Sequence, residues 1–170
     1  AVDDLVDLFS KKGIIAKVSG IGEWIHYLDF VRQYDLTKRL KLIPWWKRSF
    51  SREKRQLVIL GIEKTWKHNV EKMVKRSLKE ANLIPETPHD MDIIMNNTSK
   101  HFVNHELNSE IAVSTGVAAT AMEHGYSGIV NIAPFACLIG RVIEGLFTPW
   151  ARDRNYPIIS VEIDGNQLPP

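Results

Sequence analysis

Residues 128–141 read GIVNIAPFACLIGR, and this stretch decides the fold class. It opens with a run, GIVNIAPF at 128–135, that is apolar apart from Asn131 and is typical of a strand buried on both faces, as in a parallel sheet. The segment at 137–155 then has the apolar spacing of a helix, and a second apolar run, PIISVEID, follows at 157–164. Strand, helix and strand in this order predict two parallel strands joined by a helix.

The preceding sequence adds a helix and a third strand to this pattern. Residues 108–128 predict a helix that stops at Gly125, and the β-branched run IIAKVS at 14–19 predicts a strand. The fold class is therefore α/β, a three-layer Rossmann-like half-domain with a short parallel sheet of about three strands. We expect the apolar strand residues to form its central core: Ile129, Val130, Ile132, Ile158, Ile159 and Val161.

A long helical segment separates the first strand from the other two. The region from Ser51 to Asn82 keeps apolar residues on one helical face: Ile59, Ile62, Trp66, Val70, Met73 and Val74. We predict a single α/β domain over residues 1–170 with a mainly helical insertion at 24–105. Since the sequence opens inside a helix and closes beyond a strand, we expect it to be a fragment of a longer chain.

Composition excludes several classes of protein. The 22 basic and 20 acidic residues leave a net charge of +2, which is too small for the basic excess of a nucleic-acid-binding domain. A single cysteine excludes an internal disulfide and a four-cysteine zinc site. A lone thiol is typical of a cytoplasmic protein. No apolar stretch reaches the ~20 residues of a membrane span, so none is predicted.

Ligands of parallel sheets collect beyond the carboxyl ends of the strands. Three predicted loops meet there, at residues 19–23, 133–137 and 164–166. Cys137 falls near the first turn of a helix, where the dipole and free N–H groups favour a thiolate, which is a nucleophile or an iron ligand. By position alone, packing as a small buried residue is the more common role.

The same residues resemble motifs of the CoA-substrate-specific enzyme activase family. These proteins are multidomain relatives of 2-hydroxyacyl-CoA dehydratases, benzoyl-CoA reductases and double-cubane iron–sulfur proteins. Their pattern of buried strand, Asn, Pro-Phe and Cys is similar to GIVNIAPFACLIGRVIE at 128–144, and a later Tyr-Asp-Gly to IDG at 163–165. Two further segments match in order, GIIAKVSGIGEWIHY at 13–27 and the region at 108–131.

This resemblance implies that Cys137 is a ligand of a low-potential iron–sulfur cluster. It also implies a cofactor-binding loop set around that cysteine, formed by Pro134, Phe135, Glu110, Asp164 and Gly165. Three positions depart from the family pattern. Leu138-Ile139 replaces Met-Pro, Ile163 replaces the Tyr of Tyr-Asp-Gly, and Ser109 replaces a Gly.

The implied function is that of an accessory or cluster-bearing domain in ATP-coupled electron transfer of anaerobic metabolism. The implied partners are the family's activase ATPase domain or a dehydratase-like subunit. A dimer of this chain is a further possibility that the sequence does not decide. Clusters normally take about four thiolates and this sequence has one. We therefore expect a cluster only in the full-length protein, and neither bound iron nor catalysis in residues 1–170 alone.

A rival function comes from a basic and aromatic segment at residues 38–55. Basic side chains interleaved with aromatic ones can bind phosphates, single-stranded nucleic acid or an anionic membrane surface, and a CoA phosphate or a docking partner fits equally well. The alternative function is a non-catalytic interaction module that has lost the cluster and docks partners through this segment. The candidate docking residues are Arg39, Lys41, Trp45, Trp46, Lys47 and Arg48. A solvated junction between two helices is the plainer interpretation. His101 and His105 have a zinc-compatible spacing, but without a third ligand we interpret them as surface residues.

Overall fold

The structure is a computed structural model that describes residues 2–19, 21–80, 90–104 and 109–164. Contacts divide the chain into two compact units, residues 1–20 with 92–170 and residues 21–91. The elements in chain order are α1 (Val2–Lys11), α2 (Ile21–Leu42), α3 (Trp45–Arg48), α4 (Arg52–Glu80), α5 (Met91–His101), α6 (Glu110–Glu123), β1 (Ile129–Pro134), α7 (Leu138–Asp153) and β2 (Ile158–Ile163).

The strand–helix–strand prediction for the final third of the chain is confirmed. Strands β1 and β2 pair in parallel, in a register that runs from Ile129 opposite Ile158 to Pro134 opposite Ile163. The amide of Phe135 donates to the carbonyl of Ile163 at 2.9 Å, which extends the pairing one residue past β1. The fold class is α/β, with mainly helical content around this short sheet.

The core of this unit lies between the sheet and helices α6 and α7. Small residues on α6 allow α7 to approach closely, so that aromatic side chains of α7 fill the space between them. Two buried clusters result, one of Ala118, Ile143 and Phe147, the other of Ala119, Trp150 and Ala151. Phe102 joins both, with its ring 5.6 Å from that of Phe147 and 5.0 Å from that of Trp150.

The strand predicted at residues 14–19 is not formed. These residues have no strand pairing in the structure, and Ile15 is 95% exposed. Helix α1 ends at Lys11, and the turn that follows contains Gly13 with a φ of 75°. The Ile14 amide donates to the Phe9 carbonyl across this turn. β-Branched residues favour a strand only where a paired neighbour is present, and the described part of the sheet has two strands, not three.

The strand residues are also less buried than expected. Successive side chains of a strand point to opposite faces. Ile129 and Ile158 pack against the core beneath α7, whereas Ile132 and Ile159 belong to the other face and are exposed, Ile159 by 57%. The prediction that all six strand residues form the central core is therefore wrong, because helices of this unit cover the Ile129 and Ile158 face.

The second unit is an antiparallel hairpin of α2 and α4, joined by the short helix α3. The long helix predicted from Ser51 is α4, which begins one residue later, at Arg52. Residues 81 and 82 of that prediction lie outside the described residues. The surface between them is polar, with an apolar contact region at Leu36 and Leu60, which are both buried. Its side-chain pairs are His26–Glu71 at 2.7 Å, Asp29–Lys67 at 2.8 Å, Arg32–Glu63 at 3.2 Å and Gln33–Lys64 at 2.7 Å.

The helical insertion predicted at residues 24–105 covers this hairpin together with α5. In the structure, residues 92–101 of α5 belong to the first unit instead. Gly116 of α6 explains the attachment, because a Cβ there would collide with Ile94 and Thr98 of α5. The two helices approach closely at this glycine.

Candidate functional site

The carboxyl ends of β1 and β2 form one edge of the first unit. Because the strands are parallel and Pro134 lies opposite Ile163, the loops that follow both strands begin side by side. This brings together three predicted site residues, Pro134, Phe135 and Asp164. Of the other loop residues, Gly165 and Asn166 lie outside the described residues.

A tight turn carries the chain from β1 to α7. Ala136 adopts a left-handed φ of 58°, which is uncommon for a residue with a side chain. The amide of Cys137 donates to the carbonyl of Pro134 at 3.1 Å and closes the turn. In turn, the Cys137 carbonyl accepts the Arg141 amide at 3.0 Å, which starts the helix. The turn therefore fixes the backbone of Cys137 at the sheet edge.

Cys137 occupies the N-cap position of α7, where its backbone is extended, with φ −69° and ψ 114°. Its side chain is half-buried and makes no disulfide. The first N–H groups of a helix have no partner inside the helix, and the helix dipole is positive at this end. The cysteine therefore lies at the start of the helix that follows β1, beside the carboxyl ends of the strands.

Gly140 lets α7 sit directly on β1, and the sequence analysis missed it. A Cβ at Gly140 would collide with the Cβ of Ala133 and would lie 3.7 Å from the Cβ of Cys137. A larger residue would push the first turn of α7, and the cysteine with it, away from the sheet. The sequence feature that could have identified this close approach is a glycine three residues after the cysteine, in a helix whose other early residues are large.

Arg141 is a second residue at this edge that the sequence analysis missed. Its guanidinium lies 2.8 Å from the Glu162 carboxylate on β2 and 3.0 Å from that of Glu144. It thereby ties the first turn of α7 to the second strand, one turn after Cys137. Since the guanidinium is half-exposed, these ion pairs contribute little to stability.

Glu110 begins α6, after Ser109 at the N-cap, and its side chain is exposed. Ile111 packs into the same cluster as Ile139, while Met122 packs into the same cluster as Tyr156. Helices α6 and α7 therefore run in the same direction, with both N-termini at the end of the unit where the cysteine loop lies.

The predicted docking residues belong to the second unit, at the tip of the hairpin. Trp45 is 75% exposed, and its ring is 5.7 Å from that of Trp46, which is also exposed. Arg48 is engaged within the tip, because its guanidinium donates to the carbonyls of Ile43 and Lys41. Arg39 pairs with Asp35 on its own helix at 2.9 Å. Lys41 and Lys47 are exposed.

A polar cluster surrounds His101, whose side chain is 12% exposed. Burial lowers the pKa of His101 from 6.5, with help from the cations of Lys100 and Arg154, while Glu123 acts in the opposite direction. Its ring lies 6.3 Å from that of Trp150. His101 is therefore a packed residue rather than the surface residue that we predicted, and His105 lies outside the described residues.

Neither a metal-binding cluster nor a membrane-spanning helix occurs among the described residues. They contain no group of three or more His, Cys, Asp or Glu side chains arranged to hold a metal ion. Within the same ranges, no helix is both long and apolar enough to cross a bilayer. Comparisons of the chain with protein-family models, with curated proteins and with solved structures found no match.

Proposed function

We propose that this chain is an accessory domain of a CoA-enzyme activase or 2-hydroxyacyl-CoA dehydratase-like protein, and that it presents Cys137 to a low-potential iron–sulfur cluster. The observation that carries the proposal is the position of Cys137, half-buried at the N-cap of α7 beside the carboxyl ends of both strands. The resemblance of the sequence motifs supplies the identity of the cofactor. When bound, such a cluster accepts and donates single electrons at low potential.

The residues of this chain can supply one thiolate ligand to an iron–sulfur cluster. Cys137 is the sole cysteine of the 170 residues, whereas a cluster normally takes about four thiolates. The remaining ligands therefore come from another part of the assembly, and this chain's residues orient one thiolate. Ala136 and the Cys137–Pro134 hydrogen bond fix the turn, and Gly140 holds it on the sheet.

Two apolar residues within two positions of Cys137 in the sequence are open to solvent. Phe135 is 68% exposed, and Leu138 is exposed to a similar degree. A second domain that closed over this edge would bury both and exclude water from the sulfur, which tunes a cluster's potential. We propose that this covering domain is the activase ATPase domain or a dehydratase-like subunit, and that the complex works in the cytoplasm.

The proposal includes a larger fold than the two strands described. Val130, Ile132, Ile159 and Val161 form an apolar second face of the sheet, partly exposed. A sheet with one apolar face left uncovered is suited to a further layer of helices. We therefore propose that the unit is part of a three-layer, Rossmann-like half-domain.

Iron and acid-labile sulfide in the natural protein, isolated anaerobically, test the proposal. We expect both to be present and to fall sharply in Cys137→Ala, while Gly145→Ala, an exposed change in the same helix, retains them. Iron-free protein, or equal iron in wild type and Cys137→Ala, would contradict it. The 170-residue chain alone should hold no stoichiometric cluster, unless two copies share one.

A second candidate function rests on the hairpin tip. Trp45, Trp46 and Phe50 are all exposed beside Lys41 and Lys47, an arrangement typical of a partner-docking surface. In this case the chain is an interaction module without a cluster. Trp45→Ser with Trp46→Ser would then abolish capture of the partner subunit by the Cys137→Ala protein, whereas unchanged capture would count against the tip.

A further inference from the structure

Helix α4 has an inverted distribution of polar and apolar residues. The side that packs on α2 is largely charged, through Glu63, Lys64, Lys67 and Glu71. The apolar face that the sequence predicted for this helix is on the other side, and Ile62 and Trp66 are each 67% exposed. An apolar face on a long helix stabilises a protein only when it is covered.

The exposed residues follow the spacing of a coiled-coil seam. They alternate at intervals of three and four residues along α4, which is the pattern of the core positions in helices that wrap around one another. The seam consists of Ile59, Ile62, Trp66, Asn69 and Met73. Beside it, Gly61 has open space around it and lies next to Val58 and Thr65.

The charges of α4 indicate which helix would fit. Glu63 and Glu71 pair with α2, and Glu53 lies one heptad before the buried Leu60, on the same side. The outward side of the described part of α4 carries cations instead. Lys72 flanks the seam beside Met73, and Arg55 lies in line with it at the first turn. Glu63 flanks the opposite side, where Arg32 of α2 pairs with its carboxylate.

We propose that the seam docks an amphipathic helix of a partner protein whose flanking positions are acidic. The inference is independent of the iron–sulfur function, because the seam lies on the second unit and uses no residue of the cysteine loop. Glutamates of such a helix would meet Arg55 and Lys72, while its apolar residues would cover Ile62 and Trp66. Opposite charge at the borders of a helical seam sets partner choice.

Two other occupants fit less well. A second copy of α4 would place Lys72 and Arg55 against cations of the same kind, and like charges at a seam are destabilising. A membrane surface would have to take up the Asn69 amide, which lies within the seam. A polar amide is tolerated between helices, where it fixes their register, and is costly in lipid.

A designed peptide of 21 residues tests the chemistry of the seam directly. It carries leucine at the seam positions and glutamate at the flanking positions, so that its own charges oppose self-pairing. A second peptide has lysine in place of every glutamate. We expect the 170-residue chain to bind the glutamate peptide at least about tenfold more tightly than the lysine peptide at low salt, with the difference shrinking as salt rises.

Variants show whether the seam is responsible. Trp66→Ser should weaken binding of the glutamate peptide about tenfold or more. Ile15→Ser, a change at an exposed apolar residue of the first unit, should leave it unchanged. Lys72→Glu should lower affinity for the glutamate peptide and raise it for the lysine peptide. Because Lys72 is exposed, its charge reversal should not affect folding, so it tests the seam even if the Trp66→Ser protein does not fold.

Several results would overturn the proposal. Equal affinity for the two peptides would do so, as would binding that survives both Trp66→Ser and Lys72→Glu. Self-association of the chain that Trp66→Ser abolishes would show that a second copy covers the seam. Binding to vesicles of anionic phospholipid that depends on Trp66 would show that a membrane does.

Discussion

Gly140 of α7 lies so close to Ala133 of β1 that no side chain fits between them. This contact seats the first turn of α7, and therefore Cys137, on the carboxyl end of the strand. Gly145 lies on the same helix with open space around it. The two glycines thus provide a matched pair for measuring what the close approach contributes.

Gly140→Ala should destabilise the protein by about 1–3 kcal/mol, because the added methyl group overpacks the contact with Ala133. Gly145→Ala should instead stabilise it, by up to about 1 kcal/mol, since alanine favours a helix over glycine. Urea unfolding of both variants measures the two free energies. Equal effects would mean that α7 is not seated on β1 as described.

The pair of Asp29 and Lys67 should matter most in the hairpin. Asp29 is buried, and both of its carboxylate oxygens accept from the Lys67 ammonium at 2.8 Å. Lys67→Met leaves that carboxylate without its main donor and should cost about 1.5–3 kcal/mol. The exposed Arg32–Glu63 pair is the control, and Glu63→Gln should cost less than about 1 kcal/mol. If Glu63→Gln lowered the free energy of unfolding more than Lys67→Met does, Asp29 would not be the more buried carboxylate of the two, which would contradict the structure.

Stability should fall in mild acid because of His101. Burial keeps its pKa in the folded protein below 6.5, with Lys100 and Arg154 acting in the same direction and Glu123 opposing them. As the pH falls through about 6.5, the unfolded chain binds a proton that the folded state does not, so the free energy of unfolding decreases. Above that pH the effect is absent.

Unfolding free energies at several pH values between 5 and 8 check this. The acid loss should be smaller in His101→Gln than in wild type, and His68→Gln, a change at an exposed histidine of α4, should keep the wild-type slope. An unchanged slope in His101→Gln would show that other groups cause the acid loss.

Cys137 should react with an uncharged maleimide in the folded protein, because its side chain is half-buried at a helix start and not enclosed in the core. Mass spectrometry after brief exposure measures the labelled fraction. The same exposure in denaturant gives the rate of the free thiol. Labelling that occurs only in denaturant would mean that Cys137 is a core residue.

Much of the first unit could be predicted because its signals are local. The apolar runs of β1 and β2, and the helical spacing between them, specify a parallel pair, and the cysteine's place at the start of α7 follows from that order. The role of Gly140 depends on the distance between a helix and a strand that no spacing rule measures. The same holds for Arg141, whose partner Glu162 lies on another element.

Other features depend on which surfaces meet, and the sequence does not specify that. The segment at 14–19 has β-branched residues, but no described strand pairs with it. The apolar stripe of α4 was found correctly, yet it faces outward, since α2 packs on the charged side. Periodicity identifies a face, and only the structure tells what covers it.

The electron paramagnetic resonance spectrum of the natural protein, isolated anaerobically and reduced with a low-potential chemical reductant, tests the central claim most directly. If Cys137 binds iron, Cys137→Ser exchanges a thiolate for an alkoxide, and the cluster signal should shift or disappear. Gly145→Ala, in the same helix, should leave it unchanged. A cluster signal that is identical in wild type and Cys137→Ser would contradict the assignment of Cys137 as a ligand.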